Sequence, residues 1–474
     1  MYKIDWDKYL IEERLRNSKS YVGTQTASDN LDYRNPFESD LGRVVFCSAS
    51  RRMHDKTQVF PLTNGDSVHT RLTHSIEVMT IAADLGSNLC RDKDFIKLYG
   101  SQGAYELERK IVAILKTVAF VHDIGNPPFG HYGEKTIQKY FKNKFKDKKF
   151  NYDIEEKQKL DFVEFDGNAE GFRILTKLQY LGDLYGLNLT CATLAAYLKY
   201  PNIGNIVQKR TSEYEQNISK HKHGVFTSES DIFNAIIEKC NLRVSEDKIK
   251  RHPLAFLMEA ADTICYRAMD IEDAFKLGWI SLNDIKDFAS EKAKKMGLSD
   301  FDIFKKLDYT EEPKSQKKSQ VNFRVKLIAY YMKLAIGNFI NNLESIDKGE
   351  YNKELIEDDV NKVDEILNDF EKQYILCRKE IEKVELTGAA VLIGIFDIVF
   401  RLLNEKEGRL KSIISNTNIS LVYNEAKDEN MPINEIDLGE LDSYSQIRIV
   451  VDWISGMTDN YAYETFQRLS GMIL

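Results

Sequence analysis

One buried helix that ends in a pair of ionisable residues constrains this chain more than any other feature. From Ile111 to Val121 the sequence is mostly apolar with helical spacing, and His122 and Asp123 follow directly. Gly125 and two prolines then end the helix. An imidazole and a carboxylate carried into a core are costly unless something satisfies them, and a metal ion is the simplest partner. Because such pairs also arise by chance, this prediction depends on the rest of the chain.

The low content of proline and glycine and the helical periodicity predict an all-α protein. Its 474 residues include only 8 prolines and 25 glycines, and long stretches follow the helical period while alternating strand patterns are few. Residues 1–33 are expected to form an N-terminal capping segment, residues 34–310 a core with nearly all the chemically active side chains, and residues 321–474 a C-terminal helical subdomain. A charged stretch from Glu311 to Lys318 is expected to be a mobile connection between the last two.

Composition favours a protein of the reducing cytoplasm. We find no apolar run long enough for a membrane span and no signal-peptide pattern at the N-terminus. The six cysteines are scattered, and none forms a Cys-x-x-Cys pair. The net charge of −8 argues against a protein that coats nucleic acid. It is compatible with an anionic substrate, because phosphate binding depends on local charge.

Two further residues extend the His122-Asp123 pair to a candidate metal site. His74 begins an inward-facing helical stripe, and Asp262 lies on a predicted helix that starts near Pro253. Taken alone, His74 is a core histidine and Asp262 a salt-bridged residue. Together the four side chains offer two imidazoles and two carboxylates. Such a set suits six-coordinate Mn²⁺, Fe²⁺, Co²⁺, Ni²⁺ or Mg²⁺ better than a closed structural zinc site.

A second histidine–carboxylate pair follows the proline break. Gly130 is predicted to open a new helix on which His131 and Glu134, three residues apart, are neighbours. A carboxylate beside an imidazole orients it and raises its basicity, which prepares it for proton transfer. The alternative is an ordinary ion pair at a helix start. The lysine-rich run from Lys139 to Lys149 is interpreted as a solvated helix end, with a surface for phosphates or single-stranded nucleic acid as the alternative.

These residues resemble a known family. The order His74, His122-Asp123, Asp262 resembles that of the HD-domain metal-dependent phosphohydrolases. From about residue 34 to the C-terminus, longer segments are similar more specifically to bacterial deoxyguanosinetriphosphate triphosphohydrolases. These segments are Asp55–Leu62, Thr70–Ser75, His122–His131, Phe165–Gly171 and Gly456–Asp459. The resemblance implies an HD-domain helical bundle over residues 34–310, completed by the C-terminal helices.

The resemblance also implies a reaction. Water attacks the α-phosphorus of dGTP, and deoxyguanosine and inorganic triphosphate are released. The implied cofactor is a divalent metal, chiefly Mn²⁺ or Mg²⁺, with Co²⁺, Ni²⁺ or Fe²⁺ as alternatives, and it polarises an α-phosphate oxygen. His131, with Glu134 behind it, is the implied catalytic pair near the scissile bond. Whether His131 removes a proton from water or gives one to the leaving oxygen stays open.

Four residues match phosphate contacts of the family. Arg71 precedes His74 by three residues, and its guanidinium fork suits a phosphate. The others are Lys199 and the adjacent Tyr200, together with Asn168, which alternatively caps a helix. The resemblance therefore implies a cationic and polar lining along the triphosphate.

Three other residues match sugar contacts. The resemblance implies that Tyr266 borders the deoxyribose and leaves no room for a 2′-hydroxyl, so that ribonucleotides are rejected by a clash. Asp270, four residues further along the same helix face, is implied to accept a hydrogen bond from the 3′-hydroxyl. His54 stands where many relatives carry Gln. It either bonds the 3′-hydroxyl or faces solvent.

The partners implied by the resemblance are nucleotides and further copies of the chain. We expect dGTP and other dNTPs as substrates, single-stranded DNA as a candidate effector, no membrane, and a homo-oligomer, with a hexamer in keeping with relatives. The alternative enzyme is another HD-domain phosphohydrolase, such as a nucleotide phosphodiesterase or monophosphatase. A nucleotide sensor with a vestigial site ranks last, because all four metal-ligand positions are intact.

Overall fold

The computed structural model describes residues 2–16, 33–58, 69–179, 185–204, 220–246, 248–298, 313–404, 410–427, 431–432 and 435–473. Over these residues the fold is helical, and the only strands form one short antiparallel hairpin. The all-α prediction is confirmed. Residues 17–32 of the predicted capping segment and 311–312 of the predicted connection lie outside the described residues. From residue 313 onward the predicted mobile connection is helical instead, because Pro suits a first helical turn and Lys and Gln favour helices.

The elements are numbered here in chain order. The helices are α1 (Pro36–Phe46), α2 (Ser48–Arg52), α3 (Arg71–Arg91), α4 (Lys93–Tyr99), α5 (Ser101–Val121), α6 (Gly130–Lys144), α7 (Glu156–Val163), α8 (Gly167–Arg173), α9 (Cys191–Tyr197), α10 (Ser230–Lys239), α11 (Pro253–Lys276), α12 (Leu282–Lys295), α13 (Pro313–Asn341), α14 (Leu343–Asp347), α15 (Val363–Tyr374), α16 (Lys379–Asn404), α17 (Leu410–Ile413), α18 (Asn416–Lys427), α19 (Ser443–Ser455) and α20 (Asp459–Leu469). The strands are β1 (Arg243–Ser245) and β2 (Lys248–Ile249). A π-helical turn, Ile174–Leu178, continues α8.

Three long helices position the site. Helix α3 packs along α5 and against α11, while α1 covers α5 and α13 covers α11. Helix α3 starts with a capping box in which Thr70 and Thr73 each bond the other's backbone. Helix α5 ends at Val121 with His122 as its C-cap, as the apolar run predicts. Helix α11 starts at Pro253, also as predicted.

Two apolar cores hold the molecule together. The first surrounds α3, α5, α9, α11 and α13 and extends to Ile381. The second joins aromatic residues of α6 and α7, such as Phe141 and Phe162, to the inner sides of α16, α19 and α20. Since each core draws on both sides of residues 310–320, the C-terminal helices complete the body that the N-terminal part begins. The exact bounds 34–310 and 321–474 stay a prediction.

Helix α16 is the most apolar long helix. Contrary to the expectation from the sequence, which was that no apolar run has sufficient length, the helix itself has the length and composition of a membrane span between Ile381 and Leu403. The core helices of many proteins share these properties, and one side of α16, with Val391 and Ile395, is buried in the second core. The opposite side, with Leu386, lies at the surface. The burial of one side is what a helix packed on a core requires.

Candidate active site

The four predicted metal ligands come from three elements. His74 lies in the first turn of α3, His122 and Asp123 follow α5, and Asp262 lies in the middle of α11. The packing of α3 between α5 and α11 therefore brings together residues that are 188 positions apart in sequence. His74 is almost fully buried, whereas 31% of the Asp262 side chain is exposed. The cluster thus opens to solvent on its Asp262 side.

The ligand atoms converge on one point. One oxygen of Asp262 lies 3.1 Å from Nε2 of His74 and 3.3 Å from Nε2 of His122. Candidate ligand atoms of His74, His122 and Asp123 all lie within 4.8 Å of one another. The two imidazole rings meet edge to face at 5.3 Å. The structure thus brings the four predicted side chains together, and their role as metal ligands stays a prediction.

The protonation of His122 supports a metal site. Its Nδ1 lies 2.7 Å from the carbonyl oxygen of Ala119, so Nδ1 carries a proton and Nε2 is the nitrogen that faces the cluster. Within the described part of the chain, this buried Nε2 has carboxylate oxygens of Asp262 and Asp123 at 3.3 and 3.6 Å but makes no well-aligned hydrogen bond. A buried polar atom without such a bond is costly, and a bound cation would satisfy it. The residues present therefore fit a divalent metal.

Strong electrostatic coupling surrounds the cluster. Burial disfavours the protonated ring of His122, but Asp123 and Asp262 outweigh it and raise its pKa to about 9. Burial likewise opposes ionisation of Asp123, yet Arg71 and the two histidines hold its pKa below the ordinary range. The same histidines lower the pKa of Asp262. A cation bound here would replace the protons that the imidazoles otherwise hold.

The predicted catalytic pair lies at the start of α6. Nδ1 of His131 is 2.8 Å from one carboxylate oxygen of Glu134, and the other oxygen accepts a hydrogen bond of 2.8 Å from the backbone N–H of Gly167. Glu134 is buried, but 72% of the His131 side chain is exposed. The charge of Glu134 and its hydrogen bond raise the pKa of His131. The arrangement fixes the imidazole by one nitrogen and leaves the other free to reach a substrate.

Arg71 connects the pair to the metal cluster. Its guanidinium is buried and bonds the carboxylate of Asp123, whose other oxygen accepts a hydrogen bond of 2.6 Å from the amide of Asn126. The same guanidinium passes so close to Gly130 that a Cβ there would lie 2.5 Å from one of its nitrogens. Gly130 also has a positive φ of 58°, which favours glycine. Arg71 thus lies between the metal ligands and the helix that carries His131.

Tyr266 and Asp270 lie one and two turns after Asp262 on α11. The hydroxyl of Tyr266 donates a hydrogen bond of 3.2 Å to Glu371, and the guanidinium of Arg267 lies 4.6 Å from the ring centre. Asp270 is buried, and burial together with Glu371 raises its pKa well above the ordinary value. A carboxyl oxygen of Asp270 can accept a hydrogen bond from a hydroxyl group.

Two further residues that match phosphate contacts of the family, Lys199 and Tyr200, lie next to each other in the structure. Lys199 is paired with the buried Glu259 at 2.9 Å, and Asp262 is among the charges that raise its pKa. The adjacent Tyr200 is buried, and its ring centre lies 5.6 Å from the Lys199 ammonium. The structure thus places Lys199 close enough to Asp262 for their charges to interact, and the roles of Lys199 and Tyr200 as phosphate contacts stay predictions.

Asn168 and His54 have local partners. Asn168 lies in the first turn of α8, where its amide bonds the capping carboxylate of Asp166 at 2.7 Å. Asp166 rather than Asn168 is therefore the cap. His54 is 72% exposed and bonds only its neighbour Asp55, at 3.0 Å, among the described residues. Their roles as substrate contacts stay predictions.

One residue near the catalytic pair has no counterpart in the sequence analysis. The ammonium of Lys222 lies 3.1 Å from Asp166. Burial disfavours its charge, but Asp166 and Glu134 together raise its pKa above the ordinary value. Lys222 lies in a short turn without helical periodicity, so no sequence pattern indicates it. It adds a cation beside the His131–Glu134 pair.

Comparison with known protein families matches this architecture. Residues 71–266, from Arg71 to Tyr266, match the HD domain, and residues 421–468 match the phosphohydrolase-associated domain. The first segment contains all four predicted metal ligands. Fold and site together define an HD-domain, metal-dependent phosphohydrolase.

Curated relatives narrow the class. A deoxyguanosinetriphosphate triphosphohydrolase-like protein of Listeria monocytogenes is 33% identical over 98% of this chain and 99% of its own length. One of Synechocystis is 32% identical over 99% of this chain and 100% of its own length. A deoxyguanosinetriphosphate triphosphohydrolase of Yersinia pseudotuberculosis is 27% identical over 97% and 98%. The chain belongs to the deoxyguanosinetriphosphate triphosphohydrolase-like family.

Proposed function

We propose that this protein hydrolyses dGTP to deoxyguanosine and inorganic triphosphate. The observation that carries the proposal is the placement of Tyr266 and Asp270 on the same helix as Asp262, while Arg71 joins Asp123 to the start of the helix that carries His131. A metal centre alone serves any phosphohydrolase. A tyrosine and a buried carboxyl group beside it offer a place for a sugar, and the names of the relatives support the same substrate.

The metal centre is proposed to comprise His74, His122, Asp123 and Asp262, with Mn²⁺ or Mg²⁺ as the native ion. A divalent cation held by these residues would polarise a phosphoryl oxygen and lower the pKa of a water. The two carboxylates and two imidazoles would be its ligands. The guanidinium of Arg71 donates a hydrogen bond to Asp123 and so fixes the position of that carboxylate. Removing any of the four ligands is therefore proposed to reduce metal binding.

Proton transfer is assigned to His131. Because Glu134 holds Nδ1, Nε2 is the nitrogen that would exchange a proton with the reacting atoms. Glu134 in turn is fixed by the N–H of Gly167 at the start of α8. Both roles, proton removal from water and proton donation to the 5′-oxygen of the sugar, fit this geometry.

Substrate binding is proposed to use one set of residues for the phosphates and another for the sugar. Arg71, Lys199, Tyr200 and Lys222 would hold phosphates by charge and hydrogen bonds, with Asn168 as a further contact. For the sugar, Tyr266 would border C2′ and exclude a 2′-hydroxyl, Asp270 would bond the 3′-hydroxyl, and His54 would turn toward the sugar. Sugar discrimination is then steric and independent of the base.

The wider setting is also proposed. The protein acts in the cytoplasm as a homo-oligomer, for which a hexamer is the favoured form, and accepts other dNTPs to a lesser extent. Single-stranded DNA is a weaker candidate partner. Two lysines of the basic run are already neutralised, Lys142 by Glu164 at 2.7 Å and Lys144 by Asp397 at 2.8 Å, which favours a solvated surface.

Product analysis tests the reaction. Purified protein is incubated with Mn²⁺ and dGTP, and in parallel with GTP and the other dNTPs, and the products are resolved by ³¹P NMR. We expect triphosphate and deoxyguanosine from dGTP and little turnover of GTP. The control is the His122→Ala variant, which should lose metal and activity together. Pyrophosphate with monophosphate would indicate another HD-domain hydrolase, and no turnover of any dNTP would contradict the proposal.

A further inference from the structure

Helix α11 reaches the surface on one short stretch. From Pro253 to Ile271 every residue of this helix is buried except Asp262, Thr263 and Tyr266, which share one side of it. A substrate at the metal cluster would therefore meet the ring of Tyr266 one turn after Asp262. A ring that is partly exposed excludes a ribose 2′-hydroxyl only if it is unable to swing aside, so the contacts that hold this ring matter.

The contact that holds the ring comes from α15, which packs against α11 and α12. Five residues of α15 are buried, and four of them are apolar, whereas the fifth is Glu371. Helix α15 also lies between the two segments that match known families, residues 71–266 and 421–468. A carboxylate in a buried apolar row is costly unless it has fixed partners, so the partners of Glu371 indicate its role.

Glu371 fixes the Tyr266 ring at two points. One of its oxygens accepts a hydrogen bond of 3.2 Å from the Tyr266 hydroxyl and a second one from the guanidinium of Arg267. That guanidinium lies 4.6 Å from the centre of the Tyr266 ring, and Asp364 accepts from it at 2.9 Å. The side chains of Glu371 and Arg267 are only 2% and 3% exposed. The hydroxyl and the face of the ring are thus both held, directly or through Arg267, by one buried carboxylate.

We propose that Glu371 is a positioning residue that makes Tyr266 a rigid barrier and thereby sets the preference for deoxyribose over ribose. The inference rests on the proposed function, in which Tyr266 borders C2′. Before the ring can swing aside, a hydrogen bond to a buried, charged acceptor has to break, and such bonds are stronger than neutral ones. Without Glu371 the ring is free to turn away from the sugar, and the 2′-hydroxyl of a ribonucleotide is tolerated.

The test is steady-state hydrolysis of dGTP and of GTP by the full chain with Mn²⁺, read as the ratio of the two kcat/KM values. Glu371→Ala should lower this preference for dGTP about tenfold or more, because a hydrogen bond to a charged group is lost. Asp364 still pairs with Arg267 in this variant, so the buried guanidinium keeps a partner. The matched control is Glu365→Ala at an exposed position of the same helix, which should leave the ratio unchanged.

Two further variants distinguish positioning from a merely structural role. Tyr266→Phe removes the same hydrogen bond from the other side and should lower the preference by a similar factor. Adding Glu371→Ala to Tyr266→Phe should then change the ratio little further, because both act through one contact. Glu371→Gln keeps an acceptor for the hydroxyl and should retain most of the preference that Glu371→Ala loses. A merely structural Glu371 would reduce the turnover of dGTP and GTP by the same factor.

The outcomes separate this inference from the proposed function. A ratio unchanged in both Glu371→Ala and Tyr266→Phe, or equal losses for dGTP and GTP, would overturn the inference and leave the proposed reaction intact. Tyr266→Phe keeps the ion pairs of Glu371, so it decides the question if Glu371→Ala fails to fold. Equal use of GTP and dGTP by the wild type, or no turnover of any dNTP, would contradict the proposed function and this inference together.

Discussion

His131 has different surroundings from the histidines of the metal cluster, and its surroundings set its role. His74 and His122 are buried, with their Nε2 atoms directed at a shared carboxylate. His131 is largely exposed and has a carboxylate on Nδ1 only. The first two are therefore suited to hold a cation, and the third to exchange a proton.

Replacing Glu134 by Gln should shift the pH dependence of the reaction. Glu134 raises the pKa of His131, so without its charge this pKa falls toward the ordinary value. The limb of the pH–rate profile that reports His131 then moves to lower pH, whether His131 acts as acid or as base. We expect kcat to fall roughly 10- to 100-fold. The measurement is the profile of kcat, with exposed Glu106→Gln as control. A slower enzyme with an unmoved limb would exclude His131 as the titrating group.

The site shows what single residues reveal in sequence. His122-Asp123 is visible because it ends an apolar helix, and Asp262 because it shares a helix face with Tyr266 and Asp270. Lys222 is not visible, because it carries no periodic signal and its importance depends on which carboxylates the fold brings near it. Periodicity predicts which side of a helix is buried, but it does not predict which charges remain without a partner.

At the scale of elements, the loop after α5 is fixed by its contact with α8. A Cβ at Gly125 would lie 2.1 Å from the nitrogen of Gly171 and 2.2 Å from the carbonyl oxygen of Gly167. Both are backbone atoms, so no change of side-chain rotamer can relieve the clash. Since the N–H of Gly167 also holds Glu134, the same helix positions the metal-ligand loop and the catalytic pair.

Gly125→Ala should therefore separate the loop from α8. We expect a loss of about 1–3 kcal/mol in the free energy of unfolding, which is the usual cost of overpacking. We also expect dGTP turnover to fall under conditions in which the variant is still folded. The matched control is Gly103→Ala in α5, where the nearest atom is 3.8 Å away and the change should stabilise the helix by about 0.5–1 kcal/mol. Thermal unfolding and dGTP turnover check both. Full activity of Gly125→Ala would contradict the close contact.

The elements also show where sequence patterns succeed. The end of α5, the proline start of α11 and the start of α6 at Gly130 match the prediction, because each has a chemical signal at its boundary. The helix from Pro313 was missed because its charged first residues are compatible with both a connection and a helix. Only packing of α13 against α11 in the first core decides between them.

At the scale of the whole molecule, buried ion pairs join the C-terminal helices to the N-terminal part. Arg448 of α19 contacts Glu170 of α8, and its guanidinium lies 3.9 Å from the ring centre of Phe226. Arg173 of α8 reaches back to Asp452 of α19 and to Glu229. Such pairs have fixed geometry and lie away from solvent, so they specify how the two parts fit.

Arg448→Met should destabilise the protein strongly. The change leaves Glu170 and Asp452 buried with one cation fewer, and burial already raises the pKa of Glu170. Breaking a buried pair by removing one partner costs about 3–5 kcal/mol. The same substitution at Arg468, which is 66% exposed and pairs with Glu464 on one helix face, should cost less than about 1 kcal/mol. Urea unfolding midpoints compare the two. Adding Glu170→Gln to Arg448→Met should recover part of the lost free energy of unfolding, because it removes a buried carboxylate that has lost its cationic partner. Equal, small shifts for both arginines would mean that apolar packing alone joins the two parts.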